Sequence, residues 1–258
     1  MTDRLATAFQ RKPAFMPYFP IGYPTVDGSI DVIEALAKNG ADLIEIGLPF
    51  SDPLADGPVI QKATQIALEN GVTTLRVLEA VTTLRRRGVR IPLILMGYIN
   101  PILRFGLVEF CDSAIEAGGD GLIIPDLPPE ESGDLETALG GRMPLIRMLA
   151  PTTSTERAAA ICCNAKGFLY LVSVTGVTGA RDSLPAGLPE FIARARTAAP
   201  PGLPLCVGFG ISTPTQAAEV GKLADGVIVG SACVRAIGES DNPQRAAAAF
   251  AKAFRDAL

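Results

Sequence analysis

Apolar and polar positions follow two alternating periods along this chain. Short apolar runs bounded by glycine, proline or acidic residues recur at 14–21, 42–47, 91–96, 120–124, 143–148, 167–172, 204–207 and 225–229. Such brief runs, without regular polar alternation, predict strands buried on both faces. Between them the period becomes helical. Ile30, Ile33, Leu36 and Ala37 follow Ser29 until Asn39-Gly40 stops the helix. Leu107, Phe110, Cys111, Ala114 and Ile115 fall at i, i+3, i+4, i+7 and i+8 on one helix face. Residues Thr2 to Gln10 predict a short amphipathic helix ahead of the first strand. Eight strands alternating with helices predict parallel pairing, and right-handed crossovers close such a set into a (β/α)8 TIM barrel. The expectation is one TIM-barrel domain over residues 1–258 with an extra N-terminal helix. A doubly wound open sheet competes, but no Gly-x-Gly-x-x-Gly follows the first strand to support a dinucleotide site. Three segments echo one another: Gly40-Ala41-Asp42-Leu43-Ile44, Gly119-Asp120-Gly121-Leu122-Ile123 and Ala224-Asp225-Gly226-Val227-Ile228. Each is a helix stop, an acid and an apolar strand, which supports the strand count.

The pattern is broken most clearly by Glu45, a carboxylate inside the second strand. From Gly47 onward Pro49, Pro53, Gly57 and Pro58 bar regular structure, and Ser51, Asp52 and Asp56 decorate a tight polar loop. Helix resumes after Pro58, a good first-turn residue. An acid at the end of a buried strand, with others on the loop leaving it, suits proton transfer because burial and exposure separate carboxyl pKa values. The plainer alternative holds Glu45 on a core arginine and uses the loop aspartates to cap Ser51 and the next helix. In a barrel, chemistry sits on the loops after the C-terminal ends of strands, the face on which Glu45 and Asp56 both fall.

Three glycine-bearing loops follow the last three strands: Thr178-Gly179-Ala180, Gly208-Phe209-Gly210-Ile211-Ser212 and Gly230-Ser231. Unshielded backbone N–H groups and a helix N-terminus there suit a phosphate, although each glycine alone also serves simply to turn the chain. The long segment Ser173 to Pro185, with Gly176, Thr178, Gly179 and Arg181, suits a lid over the site, a plain surface loop being the alternative.

Composition narrows the chemistry. The 258 residues are 48% hydrophobic, enough for one large core. A net charge of −4 and a pI near 5.0 argue against a nucleic-acid partner. The basic run Arg85-Arg86-Arg87 before Gly88 reads as the end of a helix, where cations complement the dipole. Cys111, Cys162, Cys163, Cys206 and Cys233 are odd in number and lack zinc-site spacing, so they read as buried thiols of a reducing compartment. No histidine is present, which removes histidine bases, Ser-His-Asp triads and imidazole metal sites; no metal is expected. A Schiff-base lysine is not expected at a strand end, since Lys38, Lys62, Lys222 and Lys252 fall on helices and Lys12 and Lys166 precede strands. The start lacks the apolar core of a signal peptide and no run approaches a membrane span, so a cytoplasmic protein without membrane contact is expected. Carboxylates must then carry acid and base work, on a substrate with its own electron sink.

Gly47-Leu-Pro-Phe-Ser-Asp-Pro-Leu-Ala-Asp-Gly-Pro58, with Glu45 two residues before it, resembles the signature of the tryptophan synthase α-subunit family. The resemblance extends to Pro20-Ile21-Gly22-Tyr23-Pro24, Met96-Gly97-Tyr98-Ile99-Asn100-Pro101, Pro125-Asp126-Leu127-Pro128, Gly176-Val177-Thr178-Gly179 and Gly208-Phe209-Gly210-Ile211. Gly-Tyr-Pro at 22–24 and Val174-Thr175 depart from members that carry Gly-Asp-Pro and Arg-Ala, which bears on lid details. The resemblance implies cleavage of indole-3-glycerol phosphate to indole and glyceraldehyde 3-phosphate. It implies that Glu45 protonates the indole ring and takes the glycerol proton, that Asp56 holds the indole N–H, and that Gly179, Gly210, Gly230 and Ser231 bind phosphate. Phe19, Tyr170 and Phe209 are expected in the indole pocket and Thr178 in the lid. It also implies no cofactor in this chain and hand-over of indole to a pyridoxal-phosphate β-subunit in an α2β2 heterotetramer. Pro53, Asn100, Pro101 and Leu103 are expected at that interface. Another phosphate-binding barrel, or a barrel that only activates a partner, remain the rival readings.

Overall fold

The computed structural model describes residues 3–11, 13–172, 187–208 and 210–258. The expected lid from Ser173 to Pro185, including Thr178 and Gly179, lies outside the described residues, as does Phe209. In chain order the first half runs α1 (Asp3–Ala8), β1 (Ala14–Pro20), α2 (Val26–Lys38), β2 (Ile44–Gly47), α3 (Pro58–Glu69), α4 (Thr74–Arg86), β3 (Leu93–Met96), α5 (Ile99–Phe105), α6 (Leu107–Ala117) and β4 (Gly121–Ile123). After a 3-10 turn at Pro129–Glu131 come α7 (Gly133–Leu139), β5 (Arg147–Leu149), α8 (Thr155–Cys162), β6 (Leu169–Val172), α9 (Leu188–Ala198), β7 (Leu205–Gly208), α10 (Pro214–Gly221), β8 (Gly226–Val229), α11 (Ser231–Gly238) and α12 (Pro243–Ala257).

The strands pair in parallel in the order β4-β3-β2-β1-β8-β7-β6-β5. The two ends of that sheet meet at one bridge, where Leu122 N–H donates to Pro144 O and Ile146 N–H donates to Leu122 O. The result is the expected (β/α)8 barrel, with α1 as the additional N-terminal helix. The fifth strand is shorter than its apolar run predicts. Pro144 turns its carbonyl to β4 and has no N–H to give on that side, so 143–146 contributes only this bridge to β4; regular pairing with β6 starts at Arg147.

Local sequence explains the helix ends. Thr25 caps α2 by accepting the Gly28 N–H at 3.1 Å, which starts the helix before the first apolar position. Ile30, Ile33 and Leu36 bury one face of α2, and Gly40 at φ +127° supplies the left-handed residue that ends it. The basic run closes α4 as expected, but its first member does more. Arg85 reaches the carbonyls of Gly118, Val89 and Ile91 and pairs with Asp120.

The echoed acids turn out to be one structural device used three times. Asp42 N–H donates to Phe15 O while Phe15 N–H donates to the Asp42 carboxylate at 2.7 Å. Asp120 and Leu93 exchange the same two bonds, the second at 3.0 Å, and so do Asp225 and Leu205, at 2.9 Å. Each carboxylate also holds an arginine: Arg255 on Asp42, Arg4 and Arg85 on Asp120, Arg196 on Asp225. The acid therefore fixes the register of its strand against the neighbour at the N-terminal end of the barrel. Four of the five cysteines are buried; Cys163 is exposed, because it lies just past the end of α8 where the chain leaves the packed face.

Candidate active site

Glu45 is the second of the four residues of β2, in register with Tyr18 on β1 and Ile94 on β3. Residues in register on parallel strands share a face, here the barrel interior. Glu45 is 1% exposed, and its Oε1 has no hydrogen-bond partner among the described residues. Among the described residues the buried arginines are engaged elsewhere: Arg147 serves Ser132 and Glu136, and Arg255 serves Asp42. Burial, and secondarily the negative charge of Asp56, push the Glu45 pKa up to about 8. At neutral pH the carboxyl is therefore mostly protonated.

Asp56 is brought beside it by the irregular loop after β2. Asp56 N–H donates to Pro53 O at 3.0 Å, and Gln61 on α3 donates to Asp56 O at 2.8 Å. With its backbone held, the side chain turns inward, where Tyr98 Oη donates to Asp56 Oδ2 at 2.9 Å. Burial raises the Asp56 pKa to about 6, and the Tyr98 hydrogen bond opposes the rise. Two carboxyls thus share a site with different proton affinities. Asp52, by contrast, is exposed and accepts Ser51 Oγ at 2.5 Å, the local role of the plainer reading.

Glu45 and Asp56 face one cavity, together with Tyr18, Tyr170, Gly210, Gly230 and Ser231. A Cβ at Gly47 would collide with the Tyr18 hydroxyl, and one at Gly208 with that of Tyr170. Glycine at these two strand ends leaves room for the phenols. Tyr170 lines this cavity, but Phe19, also expected in the pocket, does not. Alternation along β1 turns Phe19 away from Tyr18, into full burial against Tyr23, and Tyr18 is the β1 aromatic that lines the cavity. Within Phe-Met-Pro-Tyr-Phe-Pro no polar alternation marks the inner face; only pairing with Glu45 identifies Tyr18. Ile60, Met96, Ile211 and Ile228 complete the apolar walls and are likewise invisible without register.

At the other side of this cavity α11 begins at Ser231, with Gly230 as its N-cap. A helix start of this kind, with unpaired first-turn N–H groups and the positive end of the dipole, suits an anion. Gly210 sits at φ +77°, a conformation that excludes most side chains. Ser212 N–H is already taken by Gln216 Oε1 at 2.8 Å and is not a free donor. A Cβ at Gly230 would meet only ordinary contacts, the nearest at 3.6 Å, so protein packing alone does not require glycine there. The cavity itself is small, about 30 Å³. A larger cavity of about 660 Å³ lies by α1 and the segments leading into β5, β6 and β7. It is at the opposite end of the barrel from the paired carboxylates.

Apolar residues crowd the rim on the catalytic side. Leu54 is 81% exposed, Leu103 and Val108 are 56% exposed, Asn100 is exposed, and Pro53 and Pro101 are half-buried. Residues 100–105, expected as loop, form most of α5, since proline is tolerated in a first turn where its missing N–H has no intrahelical partner. Among the described residues no group of three or more Cys, Asp or Glu side chains is placed to hold a metal ion. No described helix is long and apolar enough to cross a membrane.

A barrel that gathers two unneutralised carboxyls and a helix N-terminus around one cavity at the C-terminal ends of its strands has the layout of a (β/α)8 enzyme using acid-base chemistry. Residues 5–257 match the family described as tryptophan synthase alpha chain, and this chain belongs to that family. The tryptophan synthase alpha chain of Chloroflexus aggregans is 50% identical over 238 residues, covering 90% of this chain and 88% of its own. That of Dehalococcoides mccartyi is 43% identical over 257 residues, covering 99% of each. A solved chain of Mycobacterium tuberculosis tryptophan synthase superposes with a TM-score of 0.91 at 37% identity, covering 100% of this chain and 99% of that one.

Proposed function

We propose that this enzyme is a carbon-carbon lyase that cleaves indole-3-glycerol phosphate to indole and glyceraldehyde 3-phosphate. The observation that carries the reading is the pair of buried carboxyls, Glu45 uncompensated and Asp56 held by Tyr98, facing one cavity. Glu45 begins protonated and gives its proton to C3 of the indole ring, which makes the ring an electron sink. Its carboxylate then takes the proton from the hydroxyl on the carbon attached to C3. The O–H electrons form the aldehyde, the C–C bond breaks, and its electrons return to the ring as indole. A pKa near 8 suits a group that acts first as acid and then as base. Asp56, ionised above about pH 6, accepts the indole N–H and offsets positive charge developing on the ring. Gly230 and Ser231 at the α11 N-terminus, with Gly210 and Gly179, hold the phosphate. Tyr18 and Tyr170 border the indole, and the segment with Thr178 closes over it.

In this reading the chain carries no cofactor of its own and works in the cytoplasm with a pyridoxal-phosphate β-subunit, as an α2β2 heterotetramer. Indole is small and apolar, so direct hand-over prevents its escape. Leu54, Leu103 and Val108, beside Pro53, Asn100 and Pro101, supply the apolar face that the partner covers. Indole release from indole-3-glycerol phosphate by the purified chain tests the reading. Weak release alone, raised on adding the β-subunit, is expected; no indole in either case would overturn it.

A further inference from the structure

Tyr98 joins two parts of the molecule that the reaction and the partner use separately. It follows β3 and Gly97 and is the N-cap of α5, with 3% of its surface exposed. Its hydroxyl donates to Asp56 Oδ2 at 2.9 Å and accepts the Ala55 N–H at 3.1 Å. One oxygen therefore grips the loop after β2 twice, at the carboxylate and at the backbone beside it. The ring is braced by Phe50, with centroids 5.5 Å apart. The next residue, Ile99, opens α5 and donates its N–H to the Asp126 carboxylate at 3.1 Å and 3.3 Å, which ties the helix start to the loop after β4. Along α5, Ile102 is buried while Asn100, Leu103 and Arg104 are exposed. Leu54, the most exposed large apolar residue described, lies two positions before Asp56 on the loop that Tyr98 grips.

A rigid aromatic side chain with two rotatable bonds thus spans from the start of an outward-facing helix to a buried carboxylate. Any displacement of α5 moves the Tyr98 oxygen, and a hydrogen bond to an ionised acceptor depends steeply on that position. We propose that Tyr98 is the positioning residue that sets Asp56 for the reaction and transmits to it the state of α5 and the loop bearing Leu54 when a partner covers them. This rests on the role given to Asp56 above and adds the element through which the partner's contact reaches that site. The direct consequence for Asp56 is electrostatic. Around its carboxylate stand Glu45 from β2, Tyr18 from β1, Tyr170 from β6 and Tyr98 before α5. Among these, Tyr98 is the hydrogen-bond donor that lowers the Asp56 pKa.

Tyr98→Phe keeps the ring and removes both hydrogen bonds. With active wild-type enzyme, turnover is expected to fall about tenfold, the scale of one charge-assisted hydrogen bond. The acid limb of the pH-rate profile should move to higher pH, because an Asp56 without its donor holds its proton longer. The factor by which the β-subunit raises turnover should fall to less than half its wild-type value. In an Asp56→Asn background the same substitution should change turnover less than twofold, since Tyr98 acts through that carboxylate. Independently of activity, carbon NMR titration of Asp56 should show a higher pKa in Tyr98→Phe. The Asp56 resonance should also respond to the β-subunit in wild type and not in the variant. An Asp56 titration and partner response identical in the two proteins would overturn the proposal, whereas an inactive wild-type chain would overturn only the reaction assigned above.

Discussion

The two ends of the barrel treat carboxylates in opposite ways. At the N-terminal end Asp42, Asp120 and Asp225 each accept a backbone N–H and an arginine. Burial still lifts the Asp42 pKa, but the Phe15 N–H and Arg255 pull against it. At the C-terminal end, among the described residues, burial raises Glu45 with no cation opposing it, and the Tyr98 phenol opposes the rise at Asp56. Paired acids hold neighbouring strands in register. Glu45, buried without such a partner among the described residues, keeps its proton to higher pH. The difference is one of partners rather than of residue type, and it separates the stabilising end of the fold from its reactive end.

The comparison breaks first at Glu45. Glu45→Gln is expected to lower turnover by at least about 10³-fold, because acid-base groups commonly contribute ~10²–10⁴-fold and in the proposed mechanism this one acts twice. Retention of more than a tenth of wild-type turnover would remove Glu45 from the mechanism. At the opposite end, Asp120→Ala strands Arg85, whose side chain is 12% exposed, and the Leu93 N–H. It should destabilise the protein by about 3 kcal/mol in urea unfolding while changing the turnover of the folded fraction less than twofold. Equal stability of variant and wild type would show that the Asp120 cluster does not clamp the strands.

The smallest effect sharpens the contrast through pH. Glu45 holds its proton more tightly folded than unfolded, so the native state gains from this group below the ordinary value of 4.5, and that gain is lost as pH rises through about 8. Glu45→Gln has no such group to lose. Between pH 5 and pH 6.5 wild type should therefore lose about 2 kcal/mol of stability relative to Glu45→Gln. Parallel pH profiles for the two proteins would mean that Glu45 ionises freely.

How much of this was legible in the sequence depended on whether the signal was local. Glu45 stands out because a charge interrupts an apolar run, and Asp56 because prolines and glycine frame it. The echoed Asp42, Asp120 and Asp225 marked strand starts, yet their arginines come from as far away as Arg255, 213 residues from Asp42. No spacing rule reaches that distance. Tyr18 and Tyr98 were missed as site residues for a related reason. Both sit in aromatic or apolar surroundings that read as core, and only strand register and the fold of the loop after β2 turn their hydroxyls toward the carboxylates. Pro101 misled in the other direction, since a proline that reads as loop fits the first turn of α5.

The single bridge at Leu122 has a mechanical consequence. Seven of the barrel's eight joints are laddered by two to four register pairs, and the eighth, between β4 and β5, is this one contact. A ring built so behaves as a clasp: strain collects at the fastening, and the laddered arc keeps its shape while the fastening gives. Glu45 on β2 sits two joints back from the clasp, within the stiff arc, whereas Asp126, the tether of α5, follows β4 at the clasp itself. Glu45 is thus mounted on the laddered arc, and the anchor of the outward-facing helix follows the strand that closes on the single bridge.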